Sequence, residues 1–275
     1  MASINPQNKR IFITGGASGL GQAIAHLFAK KGYKVAIGDI NEPRLEQTKT
    51  ELLKHTDDVL TFKCNTTKTS DLEQVKYVLV STWGGIDIVV NNAGIGGTAG
   101  SIDEVSLADW ETIIDVNVMG VVRGCKIFSP LLKTQKAGAI VNIASSAALF
   151  TPPYMSSYNV SKSAIVGLSE TLRSELASFQ VSTHVVCPGF FKTNLTDSIK
   201  SKDMGMNQFV EAAMAKSPID ANDIAIMIHR QIEANQFLLI PHKMERRMWY
   251  IKRYLPRFLE SRMKKLANSI ARKVS

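Results

Sequence analysis

From Lys9 to Pro241, short apolar, β-branched runs alternate with longer stretches in which apolar residues recur every three or four positions. The runs are Arg10–Thr14, Lys34–Asp39, Val59–Cys64, Ile86–Val90, Ala139–Ala144, Val181–Val186 and Phe237–Ile240. Between them lie helical spacings such as Ile24, Leu27 and Phe28, or Leu72, Val75, Val78 and Leu79. Near-continuous apolar strands joined by helices predict a parallel sheet covered on both faces. The expectation is an α/β protein with one doubly wound, seven-stranded parallel sheet over residues 1–241. No repeat or linker interrupts it.

Two segments break this rhythm. Pro188–Met214 is long and mixed, with Met204, Met206 and Met214 near Phe190, Phe191 and Phe209. A long apolar connection beyond the carboxyl end of a strand is expected to form a lid over a pocket. Residues 242–275 form the second departure, a helical tail divided by Pro256. Met244, Met248, Ile251 and Leu255 fall on one stripe of its first half, and Leu259, Met263, Leu266, Ile270 and Val274 on one stripe of its second. Trp249, Tyr250 and Tyr254 add rings suited to a membrane interface.

Composition narrows the class. In 275 residues, 45% are hydrophobic and 21% charged, which excludes global disorder, a collagen-like chain and a disulfide-stapled miniprotein. No apolar run reaches the roughly 18 residues of a membrane span, and the first ten residues lack a signal-peptide core. Cys64, Cys125 and Cys187 are scattered without CxxC spacing, as expected of buried thiols in a reducing compartment. A cytoplasmic protein is expected. The net charge of +9 lies wholly in the tail, which holds eleven Lys/Arg against Glu245 and Glu260. The rest of the chain is balanced.

Chemistry concentrates at strand ends. The first strand runs into Thr14-Gly15-Gly16-Ala17-Ser18-Gly19-Leu20-Gly21, before a helix expected from about Gly21 to Lys31. Glycines at such a turn let the backbone approach a pyrophosphate, whose charge sits at the helix N-terminus. Asp39 ends the second strand, 18 residues after Gly21. A carboxylate there accepts bonds from ribose hydroxyls and repels a 2′-phosphate, and the nearest basic residue after it is Arg44. NAD is the expected cofactor. Tyr158 and Lys162, four apart, share a face of a helix expected over Ser156–Ser178. A tyrosine must lose about three pKa units, roughly 4 kcal/mol, to act as a base near neutrality. One ammonium about 4 Å away supplies a similar energy at an effective dielectric of about 20.

Together these features resemble the short-chain dehydrogenase/reductase family over about residues 9–240. Thr14, Gly15, Gly19 and Gly21 match its TGxxxGxG turn, Asn91-Asn92-Ala93-Gly94 its NNAG segment, Tyr158–Lys162 its YxxxK motif, and Pro188–Thr193 its PGxxxT segment. Ser145 stands 13 residues before Tyr158, and Asn117 where the family has an active-site asparagine. The resemblance implies a Rossmann-type fold. It implies that Tyr158 carries the alcohol proton and Ser145 binds the substrate oxygen. Lys162 would hold the ribose and lower the tyrosine pKa, while Asn117 would order a relay water. It also implies cofactor contacts from Gly15, Ala17, Ser18, Gly19, Leu20, Gly21, Asp39, Ile40, Asn65, Thr66, Asn92, Ala93, Gly94, Tyr158, Lys162, Pro188, Gly189, Phe191 and Thr193. Where the family often has Asp-Val, this chain has Cys64-Asn65-Thr66. The Asn65 side-chain oxygen is expected to accept the adenine amino hydrogen in its place.

The expected activity is hydride transfer between NAD(H) and a lipophilic alcohol or carbonyl compound. An NADPH-dependent reductase of long-chain aldehydes or ketones is the alternative. A non-catalytic cofactor sensor would lose some of Ser145, Tyr158 and Lys162, and none is lost. A third reading makes the body a scaffold for a membrane-binding tail. Self-association into dimers or tetramers is implied through the helices around Ser106–Gln135 and Ser156–Ser178. An anionic membrane surface is the partner expected for the tail, the alternative being that its stripes pack on the body or on a second subunit; no nucleic acid and no metal are expected. His26, His55, His184, His229 and His242 have no paired ligand spacing and are expected on the surface or in strands.

Overall fold

The computed structural model describes residues 9–192, 199–201 and 214–274, with side chains over 9–192 and 214–268. Seven strands form one sheet: β1 (Arg10–Thr14), β2 (Lys34–Asp39), β3 (Val59–Lys63), β4 (Ile88–Asn91), β6 (Gly138–Ile143), β7 (Val181–Val186) and β9 (Leu238–Leu239). Their order is β3-β2-β1-β4-β6-β7-β9, parallel throughout. The expected doubly wound, Rossmann-type sheet is therefore present. Strand ends differ from the expected runs by one or two residues. A separate parallel pair, β5 (Gly97–Ala99) with β8 (Ile199–Ser201), was not expected.

Alternation along each strand divides the core. Ile11, Ile13, Val35, Ile37, Ile88 and Val90 point to one face, packed by α1 (Gly19–Lys30), α2 (Glu42–Leu52) and α8 (Ala221–Glu233). Phe12, Ala36, Val89 and Ile140 point to the other, packed by α3 (Thr69–Trp83), α5 (Gly120–Gln135) and α7 (Ser156–Ala177). Both faces are dry, which is why the strands read as unbroken apolar runs. Local signals set the helix ends. Asn41 caps α2 by accepting from the Arg44 N–H at 3.0 Å, and Asp220 and Asp223 form a capping box on α8. Gly84, at φ 72°, terminates α3.

Before α5, the helix α4 (Leu107–Ile114) continues through a π-helical turn, Asp115–Met119, that carries Asn117. A short helix, α6 (Ala147–Phe150), follows β6. Neither is visible in the periodicity.

The tail forms α9 (Lys243–Tyr254) and α10 (Pro256–Val274), broken at Pro256 as expected. Its two apolar stripes do not behave as units. Met244 and Leu255 are exposed, Met248 and Ile251 half-buried, and Leu259 buried. Trp249 packs against the core face that carries α5 and α7. The histidine expectation needs correction too. His184 lies buried in β7, but His229 and His242 are buried outside any strand, because their rings are stacked or hydrogen-bonded there. No described helix is long and apolar enough to cross a membrane.

At the end of the sheet away from the glycine turn, Arg10 and Asp87 form a buried two-pronged ion pair. The Nε–Oδ2 and Nη2–Oδ1 distances are both 2.9 Å, and Arg10 Nη1 donates to the Trp83 carbonyl. Asp87→Ala would leave the guanidinium buried without its partner, and should destabilise by about 3–5 kcal/mol. Arg10→Met with Asp87→Leu should recover most of that loss in urea unfolding. A double variant as unstable as the single one would refute this account of the pair.

Candidate active site

Strand order reverses between β1 and β4, so the connections leaving their carboxyl ends diverge and open a crevice. One network holds its floor. Thr14 Oγ1 accepts from the backbone N–H groups of Asn92 (3.0 Å) and Ala93 (3.1 Å). Asn92 Nδ2 returns bonds to the carbonyls of Thr14 (2.9 Å) and Gly15 (3.1 Å). Gly15 has φ 63° and Gly19 φ 53°, both left-handed. A Cβ on Gly21 would collide with the Gly15 carbonyl oxygen, so α1 reaches this close only with glycine there.

The crevice is a cleft of about 470 Å³. Gly15, Ser18, Leu20, Asp39, Ile40, Asn65 and Thr66 line one end, and Asn92, Ala93 and Gly94 its floor. Ala17 and Gly21 are buried behind the wall, and Gly19 opens α1. Asp39 is aimed by two backbone donors, Ala17 N–H to Oδ2 (3.2 Å) and Asn41 N–H to Oδ1 (3.0 Å). Arg44 lines the same rim.

Asn65 departs from expectation. Its side-chain oxygen already accepts from the Thr67 N–H (3.0 Å) and hydroxyl (2.9 Å), which occupies both lone pairs. Here it shapes the turn, and the expected adenine contact through that oxygen does not fit.

The opposite end gathers the residues expected to handle the proton. Tyr158 and Lys162 project from α7, both buried, with Lys162 Nζ 5.8 Å from the tyrosine ring centre. Nζ also donates to the Ile143 carbonyl at 3.2 Å. Ser145, just past β6, lines the cleft together with Tyr158, and its Oγ accepts from the Ala147 N–H at 3.2 Å. Burial pushes the Tyr158 hydroxyl above its usual pKa, and the nearby Ser145 side chain only partly offsets it. Burial brings the Lys162 ammonium down to about 8. The drop in tyrosine pKa expected from Lys162 is thus absent in the protein alone. Desolvation is the largest cause for both groups.

Asn117 is fully buried in the π-helical turn, a feature that often marks functional positions. Its Oδ1 accepts from the Ile95 N–H (2.8 Å), and its Nδ2 donates to the Ile95 carbonyl (2.9 Å) and Ser161 Oγ (3.2 Å). Ser161 Oγ donates in turn to the Tyr158 carbonyl at 2.8 Å. Both amide hydrogens are spent, so they hold no relay water. The side chain fastens the segment after β4 to the helix that carries Tyr158.

Pro188, Gly189, Phe190 and Phe191 wall this end, and Ile95, Phe150, Pro152, Met155 and Met214 extend it with apolar surface. Thr193, and Met204, Met206 and Phe209 of the segment expected to form a lid, lie outside the described residues. The residue types fit a nicotinamide dinucleotide. A Cβ on Gly94 would press on Lys162 Nζ (3.3 Å) and Asn117 Oδ1 (3.1 Å), so glycine keeps that cradle open. Burial pushes the Cys187 thiol up to about 12, which leaves it neutral packing. No three potential metal ligands cluster among the described residues.

Sequence reasoning missed His242 and Glu245, which reach this wall from the tail. The His242 ring bonds the backbone of Gly189 and Phe190, and a Cβ on Gly189 would run into the Glu245 carboxylate. No motif marks either residue, because their partners are main-chain atoms some fifty positions away.

Known proteins agree with this geometry. Residues 9–204 match the model of the short chain dehydrogenase family. A CLA biosynthesis dehydrogenase/reductase of Lactiplantibacillus plantarum is 34% identical over 86% of this chain and 88% of its own length. A 3-oxoacyl-acyl-carrier-protein reductase of Thermotoga maritima is 32% identical, over 78% of this chain and 84% of its own. A short chain dehydrogenase/reductase from Burkholderia phymatum, solved in complex with NAD, superposes with a TM-score of 0.84 at 28% identity, covering 90% of this chain and 93% of that one. The chain belongs to the short-chain dehydrogenase/reductase family, and is an oxidoreductase of alcohol and carbonyl groups that uses a nicotinamide cofactor.

Proposed function

We propose that this enzyme passes hydride between NAD(H) and a lipophilic alcohol or carbonyl compound, with Tyr158 as the proton carrier. The observation that carries this is the convergence of Ser145, Tyr158 and Lys162 at one end of a cleft with an apolar wall. Ser145 and Tyr158 together hold the substrate oxygen and fix its distance from the proton they exchange. Lys162, anchored on the Ile143 carbonyl, has two further hydrogens to offer ribose hydroxyls. The oxidised cofactor supplies a hydride acceptor and a positive charge at this end, the charge that favours tyrosinate over tyrosine. Asn117 keeps the wall after β4 in register with Tyr158. The apolar lining at Phe150, Pro152, Met155 and Phe190 supports a lipophilic substrate, as does a relative named for a 3-oxoacyl substrate.

Preference for NAD over NADP rests on Asp39, whose carboxylate repels a 2′-phosphate. Arg44 on the same rim is the one observation favouring NADPH. NADH should bind at least about tenfold tighter than NADPH, roughly 1.4 kcal/mol. Asp39→Ala should narrow the gap. Tighter binding of NADPH to the unaltered enzyme would reverse the assignment.

Tyr158→Phe deletes only the hydroxyl. Turnover should fall about 10²–10⁴-fold, measured by NADH absorbance with a series of alcohols and aldehydes of rising chain length. NADH affinity should stay close to that of the unaltered enzyme. Near-full turnover would refute the mechanism.

For the tail, we propose reversible docking on anionic membrane surfaces. The elbow Lys252–Phe258 is exposed throughout, with Tyr254 at 70%, Leu255 at 60% and Phe258 at 51%. This patch replaces the expected stripe through the buried Leu259. Lys252, Arg253 and Arg257 surround it, and each basic group near an anionic surface contributes about 1 kcal/mol at physiological salt. Self-association through α4, α5 and α7, and a cytoplasmic location with docking on that side of the membrane, complete the proposal. Anionic vesicles should sediment the enzyme at low salt, neutral vesicles should not, and a Tyr254→Ser, Leu255→Ser, Phe258→Ser variant should lose most of the binding. Failure to bind either vesicle at low salt would make the elbow a subunit contact instead.

A further inference from the structure

His242 joins the tail to the wall of the active site. It follows β9, precedes the first turn of α9 and is only 5% exposed. Its Nδ1 accepts from the Gly189 N–H at 3.0 Å. That nitrogen therefore carries no proton, and the neutral ring holds its hydrogen on Nε2. Nε2 lies 2.9 Å from the Phe190 carbonyl oxygen, to which it donates. Ser217 Oγ is 3.3 Å away and gives its own hydrogen to the Ile219 carbonyl at 2.7 Å. One ring thus grips an N–H and a C=O of two consecutive residues that both line the cleft.

The other side of the same segment is also held. The Ser146 N–H donates to the Pro188 carbonyl at 2.8 Å, directly beside Ser145. Glu245, one turn further along α9, closes over the Gly189 Cα. The segment Pro188–Phe191 is therefore clamped between the strand end that carries Ser145 and the first turn of the tail. Burial keeps the His242 pKa below the ordinary histidine value, although Glu245 and the Phe190 carbonyl oppose this. The ring stays in its neutral, two-handed form near neutral pH.

We infer that His242 is a positioning residue for the nicotinamide end of the cofactor site, so that the tail is part of the active-site wall as well as a candidate attachment device. This rests on the cleft being a nicotinamide-dinucleotide site with its nicotinamide end at Pro188–Phe191. Loss of the ring frees the Gly189 N–H and the Phe190 carbonyl, and the wall moves. The glycine turn, Asp39 and the adenine end are untouched. The effect is confined to half of the ligand.

That confinement separates positioning from simple stabilisation. Titrations of the full chain with NADH, followed by its fluorescence, and with ADP-ribose by competition, would be run on His242→Ala, His242→Asn and His242→Gln. His184→Ala serves as a control. His184 is equally buried, and bonds the Gln236 carbonyl (2.8 Å) and Ser182 Oγ (2.9 Å) away from the cleft. His242→Ala should weaken NADH about tenfold and leave ADP-ribose unchanged. His242→Asn, whose amide oxygen can take the place of Nδ1, should recover most of that loss, and His242→Gln less. His184→Ala should lower the melting temperature without altering either affinity.

Wild-type NADH affinity in folded His242→Ala would overturn the inference, as would equal weakening of NADH and ADP-ribose. If His242→Ala does not fold, the Asn and Gln variants decide. Unequal NADH affinities sustain the inference, and wild-type affinity in both overturns it. Failure of the unaltered enzyme to bind NADH or NADPH would refute the cofactor reading itself.

Discussion

The site depends on how closely two chain connections can approach where the sheet reverses. β1 and β4 are neighbours, yet the chain leaves them in opposite directions, and the crevice exists only if both turns stay tight. The Thr14 hydroxyl and the Asn92 amide bridge the two turns with four hydrogen bonds. Gly21 lets α1 come down onto the Gly15 carbonyl. A side chain at Gly21 would lift α1, and with it the row of backbone donors that a pyrophosphate needs. The dry core on both faces of the sheet holds these elements rigid, so the floor of the cleft is set before any ligand arrives.

At the other end of the cleft the governing constraint is burial. Tyr158 and Lys162 share a face of α7 and are close enough to influence each other, yet each is pushed toward its neutral form. Loss of water is the dominant cause in both, and the neighbouring groups offset it only in part. In the proposed mechanism, charge brought by the cofactor would favour the tyrosinate. There the protein's own contribution is geometric: Ser145, the Ile143 carbonyl and the Asn117 clamp would fix where the proton and its carrier sit.

The tail has a double character. Its first turn is built into the active-site wall through His242 and Glu245, and Trp249 and Leu259 are drawn toward packed positions. Its elbow at Pro256 presents aromatic and basic residues outward. Stacking of Tyr250 on Tyr254 and of Arg262 over Phe258 stiffens that surface. Anything that binds the elbow stands one helix away from the segment next to the nicotinamide end.

Short apolar runs and 3.6-residue spacings were enough to read the seven strands and their covering helices, because a sheet buried on both faces imposes apolar runs that few other arrangements need. Glycine spacing, the Tyr158–Lys162 interval, Ser145 and Asn117 were legible as positions because they match the family's motifs in residue type and interval. Three things were not legible. The use of the Asn65 oxygen by Thr67, and of the Asn117 amide by Ile95, depends on which acceptor a side chain meets first in space. The direction of the Tyr158 pKa depends on how much water the folded chain removes. His242 and Glu245 meet main-chain atoms, which carry no residue-type signature. Local pattern determined the architecture and the identity of the chemical groups. Tertiary packing decided which of those groups remain free to act, because burial and hydrogen-bond saturation are properties of the assembled interior and not of any stretch of chain.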